Sequence, residues 1–408
     1  MVHTSWCMAR PQKPKIREAQ LQGFKHFKLL VPVLEKLHLH ACQRDKAKNR
    51  TLHFDQYAAL ILLHFFNPIV TSLRGIQQVS ELKKVQRLLK CPRTSLGSLS
   101  EAARVFDADL LRGIIGDLIG QLDQCQPLQK DTSYADLRRI VTVVDSTVLA
   151  VLPKLIEAMW LPKSGMGFKL HTHFELLRGV PTRMDMTGDR VHDAKVLKTC
   201  IQSDRLYVLD AGYMTFDLFR RIIDARSSFV CRILDNTRYE VVDEQPLSSA
   251  AIHAKVLNDR LVRFTGTAAS KAGFAQTARI VEIKCSPHRK RGSRPGQGGP
   301  NQGESLLIAT DVLDAPAELI ALLYKQRWSI ETFFRFFKHV LGCRHLLSTS
   351  PNGIEIQTYL AIIACLLIAL WTGRKPTLRT YEMICYYFAG LADEEELLAH
   401  IDRLQPQS

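Results

Sequence analysis

Residues 324–338 read Tyr324-Lys-Gln-Arg327-Trp328-Ser-Ile-Glu331-Thr-Phe-Phe-Arg335-Phe-Phe-Lys338. On a helix of about 100° per residue with Tyr324 at zero, Arg327 falls near 300°, Glu331 near 340°, Arg335 near 20° and Lys338 near 320°. Phe336, Phe333, Phe337 and Ile330 fall on the far side, between roughly 120° and 240°. One carboxylate therefore stands in a row of cations and a phenol, on a helix whose back is aromatic. Four Phe in fifteen residues suit a buried helix rather than a solvated one. The polar stripe of a buried helix needs a partner. A polyanion together with a metal ion is the simplest one.

Composition agrees with that partner. The chain has 408 residues, 46% of them hydrophobic, enough for two or three ordinary cores. Its 55 Lys and Arg against 40 Asp and Glu give a formal charge of +15. That balance favours nucleic acid or an anionic surface as partner and says nothing of fold. Residues 1–50 alone carry 11 Lys/Arg and 3 Asp/Glu, a net +8. A second cluster is Lys284, Arg289, Lys290, Arg291 and Arg294. The ten cysteines are scattered, the closest pair being Cys365 and Cys385, with no Cys-x-x-Cys. Zinc fingers and redox pairs are thereby disfavoured, and a reducing compartment is expected. The N-terminus lacks the apolar run of a signal peptide. The longest apolar run, Tyr359 to Trp371, is thirteen residues, short for a membrane span and suited to a buried helix. The expectation is a cytoplasmic protein with no membrane partner.

Along the chain, residues 1–20 read as a loose basic arm. From Phe24 to about Leu128 the pattern is helical throughout. Ser72 caps a second helix, and Ser98 with Glu101 has capping-box spacing for a third. This basic unit is either a helix-turn-helix reader or an ordinary bundle carrying the arm. At Ile140 the texture changes. Ile140–Val144 is a β-branched run ending at Asp145. Phe168–Leu177 alternates, with Lys169, His171, His173 and Glu175 on one face. Thr182–Thr187 reads as its return strand, Asp193–Ile201 as a short helix and Leu206–Leu209 as a buried strand ending at Asp210. Phe216–Ala225 is helical and Phe229–Leu234 a strand. That order is an α/β layout, a mixed sheet flanked by helices. Short strand-like pieces at Arg238–Val242, Arg260–Phe264 and Ala278–Lys284 suggest a β-rich insertion. Inside it, Ser286–Gly303 reads as a mobile basic loop. Pro316 precedes the long helix, and Ile354–Leu404 is helical.

Three acids are placed for chemistry. Asp145 and Asp210 each close a buried strand, at the carboxyl end where ligands settle in open sheets. Glu331 lies on the helix that would cross that crevice. Three carboxylates without His or Cys make a hard-oxygen site, suited to Mg²⁺ or Mn²⁺ rather than zinc. Two such ions about 4 Å apart can activate a water and stabilise a leaving oxygen at one phosphodiester. Arg and Lys nearby would hold the phosphate backbone. Each acid also has a plain structural role open to it. A strand-ending Asp often bonds its own turn, and Glu331 could be an i,i+4 partner of Arg327 or Arg335.

The spacing Tyr324, two residues, Arg327, three, Glu331, six, Lys338 resembles the Y-R-E-K signature of the DDE transposases of bacterial insertion sequences, specifically the insertion-sequence-4 family. Val-Val-Asp-Ser-Thr at Asp145 and Leu-Asp-Ala-Gly-Tyr-x-x-Phe at Asp210 resemble that family's first and second catalytic blocks. Gly-Phe-Lys-Leu-His, with Lys169 and His171, matches the polar strand between them. The resemblance covers roughly residues 140–370. It implies a ribonuclease H-like core of residues 131–234 and 307–408, the latter with the C-terminal helices. It also implies a β-rich insertion at 235–306 and an all-α DNA-binding domain with its arm at 1–130. It implies that Asp145, Asp210 and Glu331 bind two Mg²⁺ ions, for which Mn²⁺ can substitute. With them the protein cuts double-stranded DNA at element ends and joins the 3′ ends to target DNA, as a homodimer on nucleoid DNA. Tyr324, Arg327, Arg335 and Lys338 would grip phosphates, with Lys169 and His171 as further DNA contacts. Lys169 and His171 could instead form a solvated strand face. Trp328, about 40° off the polar stripe, is either an aromatic wedge for a flipped base or core packing. The remaining alternatives are a catalytically silent or repurposed DNA-binding relative and another ribonuclease H-like nuclease.

Overall fold

A computed structural model describes residues 31–38, 50–125, 139–150, 167–284, 305–341, 346–348, 350–373 and 375–403. The arm at 1–20 and the loop at 286–303 lie outside them. The chain divides into two compact units, residues 1–114, 345–361 and 378–408 in one and residues 115–344 and 362–377 in the other.

In the second unit one mixed sheet carries nine strands among the described residues, in the order β3-β2-β1-β4-β5-β9-β8-β7-β6. β1 (Ile140–Ala150), β2 (Gly167–Glu175) and β3 (Val180–Gly188) form an antiparallel meander. β4 (Arg205–Leu209) and β5 (Ser228–Arg232) then run parallel to β1. The expected order of strands and helices holds, with helices Asp193–Leu197 and Phe216–Asp224 between them. Thr215 caps the latter by accepting from the Leu218 amide. The helix buries Phe219 face to face on Phe229 of β5, ring centroids 4.0 Å apart. Val144, Leu197, Tyr207, Leu209 and Ile222 complete that core, all buried.

One boundary differs from expectation. β1 does not stop at Asp145 but runs to Ala150, because Ser146–Ala150 pair with Gly167–His171 of β2. Only the parallel pairing to β4 ends before Asp145, at Val144 opposite Leu209. The strands expected in the β-rich insertion are present and continue the sheet. β6 (Tyr239–Glu244), β7 (Val256–Phe264) and β8 (Ala278–Lys284) extend the same one, joined through β9 (Ser305–Thr310), which pairs with β5. A buried ion pair, Arg279 to Asp259 at 2.6 Å, ties β8 to β7. The same guanidinium donates to the Leu313 and Ala315 carbonyls, just ahead of the helix Ala317–Gln326.

The first unit is helical among the described residues. Ser72 caps the helix Leu73–Ser80 as expected, accepting from the Gly75 amide at 3.2 Å. The next expected cap moves. Ser95, not Ser98, caps Leu96–Val105, accepting from the Ser98 amide at 3.0 Å. Glu101 is drawn away to Arg50 at 2.9 Å. The helix Leu378–Ala389 packs within this unit, Phe388 stacking on Phe66 and Tyr381 bonding the Phe65 carbonyl. The helix Pro351–Thr372 has the length and composition to cross a membrane, with a mean hydropathy of 2.0, but 83% of that stretch is buried inside the protein.

Candidate active site

β1 and β4 are parallel and in register at Val144 and Leu209, so Asp145 and Asp210 follow equivalent positions on adjacent strands. Adjacent strands lie about 4.8 Å apart, which makes the two acids neighbours at the carboxyl ends. Each uses one oxygen locally. Asp145 accepts from the Ser146 amide at 2.8 Å. Asp210 caps the single turn Ala211–Tyr213, accepting from the Ala211 amide at 2.7 Å. The turn-bonding role weighed for each is therefore present, and it leaves the second oxygen for other work.

The 324–338 stretch crosses this edge. It is not one unbroken helix. Ala317–Gln326 and Trp328–Leu341 meet at Arg327, whose amide bonds back three residues to Tyr324. The polar stripe survives the joint. The Tyr324 hydroxyl donates to Asp210 Oδ1 at 3.4 Å. Arg327 places one Nη 3.6 Å from Asp145 Oδ2 and the other 3.2 Å from Glu331 Oε1. Tyr324 and Arg327 are buried, while Ile330, Phe333, Phe336 and Phe337 fill the core as the wheel requires. Phe333 packs on Phe174 of β2, ring centroids 5.1 Å apart, which seats the helix on the Asp145 face of the sheet.

The charges feel one another. Burial pushes the Asp145 carboxyl up to about 6. The Ser146 amide and Arg327 oppose that rise, and the Asp210 and Glu331 charges add to it. Burial also raises the Tyr324 phenol, with Asp210 reinforcing it. Burial works against the Arg327 charge, but Asp210, Tyr324, Asp145 and Glu331 outweigh it and hold the guanidinium more firmly protonated. The donor set is all carboxylate oxygen, which suits a hard divalent cation in kind. Like-charge crowding at a half-buried acid is what such a cation relieves. As placed, no group of three or more His, Cys, Asp or Glu among the described residues is gathered closely enough to hold a metal ion. Arg327 lies between two of the acids instead.

The remaining expected residues spread differently. Arg335 is exposed and Lys338 half-buried on the helix Trp328–Leu341. Trp328 is 49% exposed, so core packing is not its role; its ring lies 5.4 Å from the Arg327 guanidinium carbon. Lys169 and His171 alternate with Phe168 and Leu170 as expected, but strand alternation turns them to the face opposite Asp145, whose cross-strand neighbour is Thr172. They do not form a solvated face. His171 is buried, with Nε2 2.8 Å from the Thr187 hydroxyl and Nδ1 3.2 Å from Asp193. Lys169 Nζ donates to the Val191 carbonyl at 3.1 Å and sits 3.5 Å from Asp193.

Three further residues bear on this site; the sequence offers Tyr213 only as a member of the block at Asp210, and it gives Asp193 and Arg232 no role. Asp193 opens the short helix, and its carboxyl is held down to about 2. Burial opposes that charge, but the donors His171 and Ser146 and the Lys169 charge outweigh it. Tyr213 is buried, and its hydroxyl makes no hydrogen bond. Arg232 closes β5 beside Tyr324, its Nε buried without a hydrogen-bond partner. Position was the signal for Asp193 and Arg232, the first a short turn after β3 and the second at the end of β5.

Comparison with known proteins shows the family. A family described as the transposase DDE domain matches residues 136–367. A Sinorhizobium fredii protein named as transposase y4zB is 29% identical over 259 residues, 62% of this chain and 65% of that protein. The chain thus spans somewhat under two thirds of that relative's length. The protein named as the transposase for insertion sequence element IS5377 of Geobacillus stearothermophilus is 24% identical, over 75% of this chain and 74% of its own length. The one named for element IS4SA of Synechocystis is 25% identical, over 78% and 83%. With more than half its length matched by the family, and with Tyr324, Arg327 and Glu331 lying along the edge formed by Asp145 and Asp210, this chain belongs to the DDE transposases of insertion sequences, of the insertion-sequence-4 type.

Proposed function

We propose that this protein binds the ends of an insertion sequence, cleaves phosphodiester bonds there and joins the freed 3′ ends to target DNA. The supporting observation is one side chain. Arg327 touches Asp145 and Glu331 at once, while Tyr324 of the same stretch touches Asp210. Three acids from two strands and a helix thereby share one electrostatic neighbourhood. Asp145, Asp210 and Glu331 would hold two Mg²⁺ ions, with Mn²⁺ as substitute. When bound, these ions supply Lewis-acid activation of a water or 3′-hydroxyl and charge relief at the leaving oxygen. The chain's own residues position the strand. Tyr324, Arg327 and Lys338 hold the phosphates beside the cut, with Arg232 and Arg335 as further cations. Trp328, exposed at the rim, offers a ring for an unstacked base.

On this reading the strands up to residue 234 and the chain from 307 form a ribonuclease H-like core. The strand order β3-β2-β1-β4-β5 supports that assignment. Residues 235–306 are its insertion, and residues 1–130 the DNA-binding part. Cutting two ends together calls for a homodimer on DNA. The test is cleavage of an end-labelled duplex carrying the element's terminal repeats, with and without Mg²⁺. Metal-dependent nicking at the repeat boundary supports the reading. Binding without any cleavage under Mg²⁺ or Mn²⁺ points to a silent DNA-binding relative instead.

A further inference from the structure

The face of β1 and β2 opposite the Glu331 helix carries a second polar network that the reaction as proposed does not use. Its centre is Asp193. From the start of its short helix it meets three side chains of the β1–β2 pair. His171 Nδ1 lies at 3.2 Å and Lys169 Nζ at 3.5 Å. The third is the hydroxyl of Ser146, which follows Asp145 in the chain. Around that centre Lys169 reaches the Val191 carbonyl, and His171 reaches Thr187 of β3. The network thus joins β1, β2, β3, the turn after β3 and a helix. It sits where β1 most needs it. β1 loses its β4 neighbour after Val144, so from Asp145 onward β2 alone pairs with it. Nearby, the buried Tyr213 hydroxyl, without a hydrogen bond, feels the charges of Asp145, Asp193 and Asp210 together.

We infer that Asp193 is a positioning residue for Asp145, clamping the strand at Ser146 and the facing residues of β2 so that the Asp145 carboxylate is held at a fixed angle and depth. Lys169 and His171 then serve the site as the clamp's other half, not as DNA contacts. This inference rests on the transposase reading for its catalytic consequence, but not for its structural one. Groups that orient a ligating residue in this way are typically worth about 10- to 100-fold in metal affinity or activity.

The test uses the full-length protein and the variants Asp193→Asn, Asp193→Glu, Lys169→Met and Asp145→Asn. Hydrogen exchange of the peptide spanning 145–150 is read first, since it needs neither DNA nor metal. Asp193→Asn and Lys169→Met should both speed exchange there roughly tenfold or more, with 205–209 unchanged. Lys169→Met keeps the test decisive if Asp193→Asn does not fold. In the cleavage assay Asp193→Asn should lower kcat about 10- to 100-fold and raise the Mg²⁺ midpoint, with the Kd for the duplex unchanged and partial rescue by Asp193→Glu. Wild-type exchange at 145–150 in both clamp variants overturns the inference. So does wild-type cleavage by Asp193→Asn when Asp145→Asn is dead. Should the wild type itself fail to cleave with any divalent metal, the functional reading falls, and the exchange data still decide the clamp.

Discussion

Asp145 should cost the fold stability at neutral pH, and Asp145→Asn should recover it. Burial lifts this carboxyl from its ordinary 3.8 to about 6. A raised folded-state value means that the protonated form is the one the fold favours. The associated stability is fully present below about pH 4 and is lost as pH rises through about 6. A shift of roughly two pH units corresponds to about 3 kcal/mol. Solvent still reaches 23% of the side chain, so a gain of about 1–3 kcal/mol is the reasonable range. Asn keeps an oxygen for the Ser146 amide, and Arg327 keeps Glu331 at 3.2 Å, so the change orphans neither group. Thermal melts of the two proteins across pH 4–8 check this. The variant should melt at least about 2 °C higher at pH 8, with the gap closing by pH 4, while cleavage is abolished. A variant no more stable than wild type at pH 8, or a gap that ignores pH, would refute the reasoning.

Asp210→Ala and Glu331→Ala should each abolish strand cleavage in the end-labelled duplex assay while leaving gel-shift affinity for the element end within a few-fold of wild type. Arg327→Gln removes a charge that holds the Asp145 value down. The acidic limb of the pH–rate profile should move about one to three pH units higher, read from single-turnover rates between pH 5 and 9. Deleting residues 1–50, with their net +8, should weaken DNA binding and flatten the dependence of log Kd on log salt, measured by fluorescence anisotropy.

Much of the site was legible because its chemistry is local in sequence. Tyr324, Arg327 and Glu331 share a helix stripe, and helical spacing alone put them together. Asp145 and Asp210 could be placed side by side because each follows a buried apolar run, and those two runs pair in register up to Val144 and Leu209. What the sequence hid was pairing. β1 extends past Asp145 because β2 offers partners for five more residues, and nothing in Ser146–Ala150 alone announces that. Lys169 and His171 showed their alternation, but not which face of the sheet they share. Register against Asp145 decides that, and it puts both beside Asp193. Trp328 was hidden by the joint at Arg327, which a straight helical wheel cannot represent. Ser95 displaced Ser98 as a cap because Thr94 is drawn back to Ser80, which fixes the chain one turn earlier.

The central claim is that two strand carboxylates and one helical carboxylate converge on shared divalent cations. The most direct measurement is anomalous scattering from crystals of the protein with a cleaved element end and Mn²⁺. Two peaks within bonding distance of Asp145, Asp210 and Glu331, with Arg327 turned from the acids to a phosphate, are the predicted result. Peaks elsewhere, or Arg327 still bridging Asp145 and Glu331 beside bound DNA and saturating Mn²⁺, would contradict it.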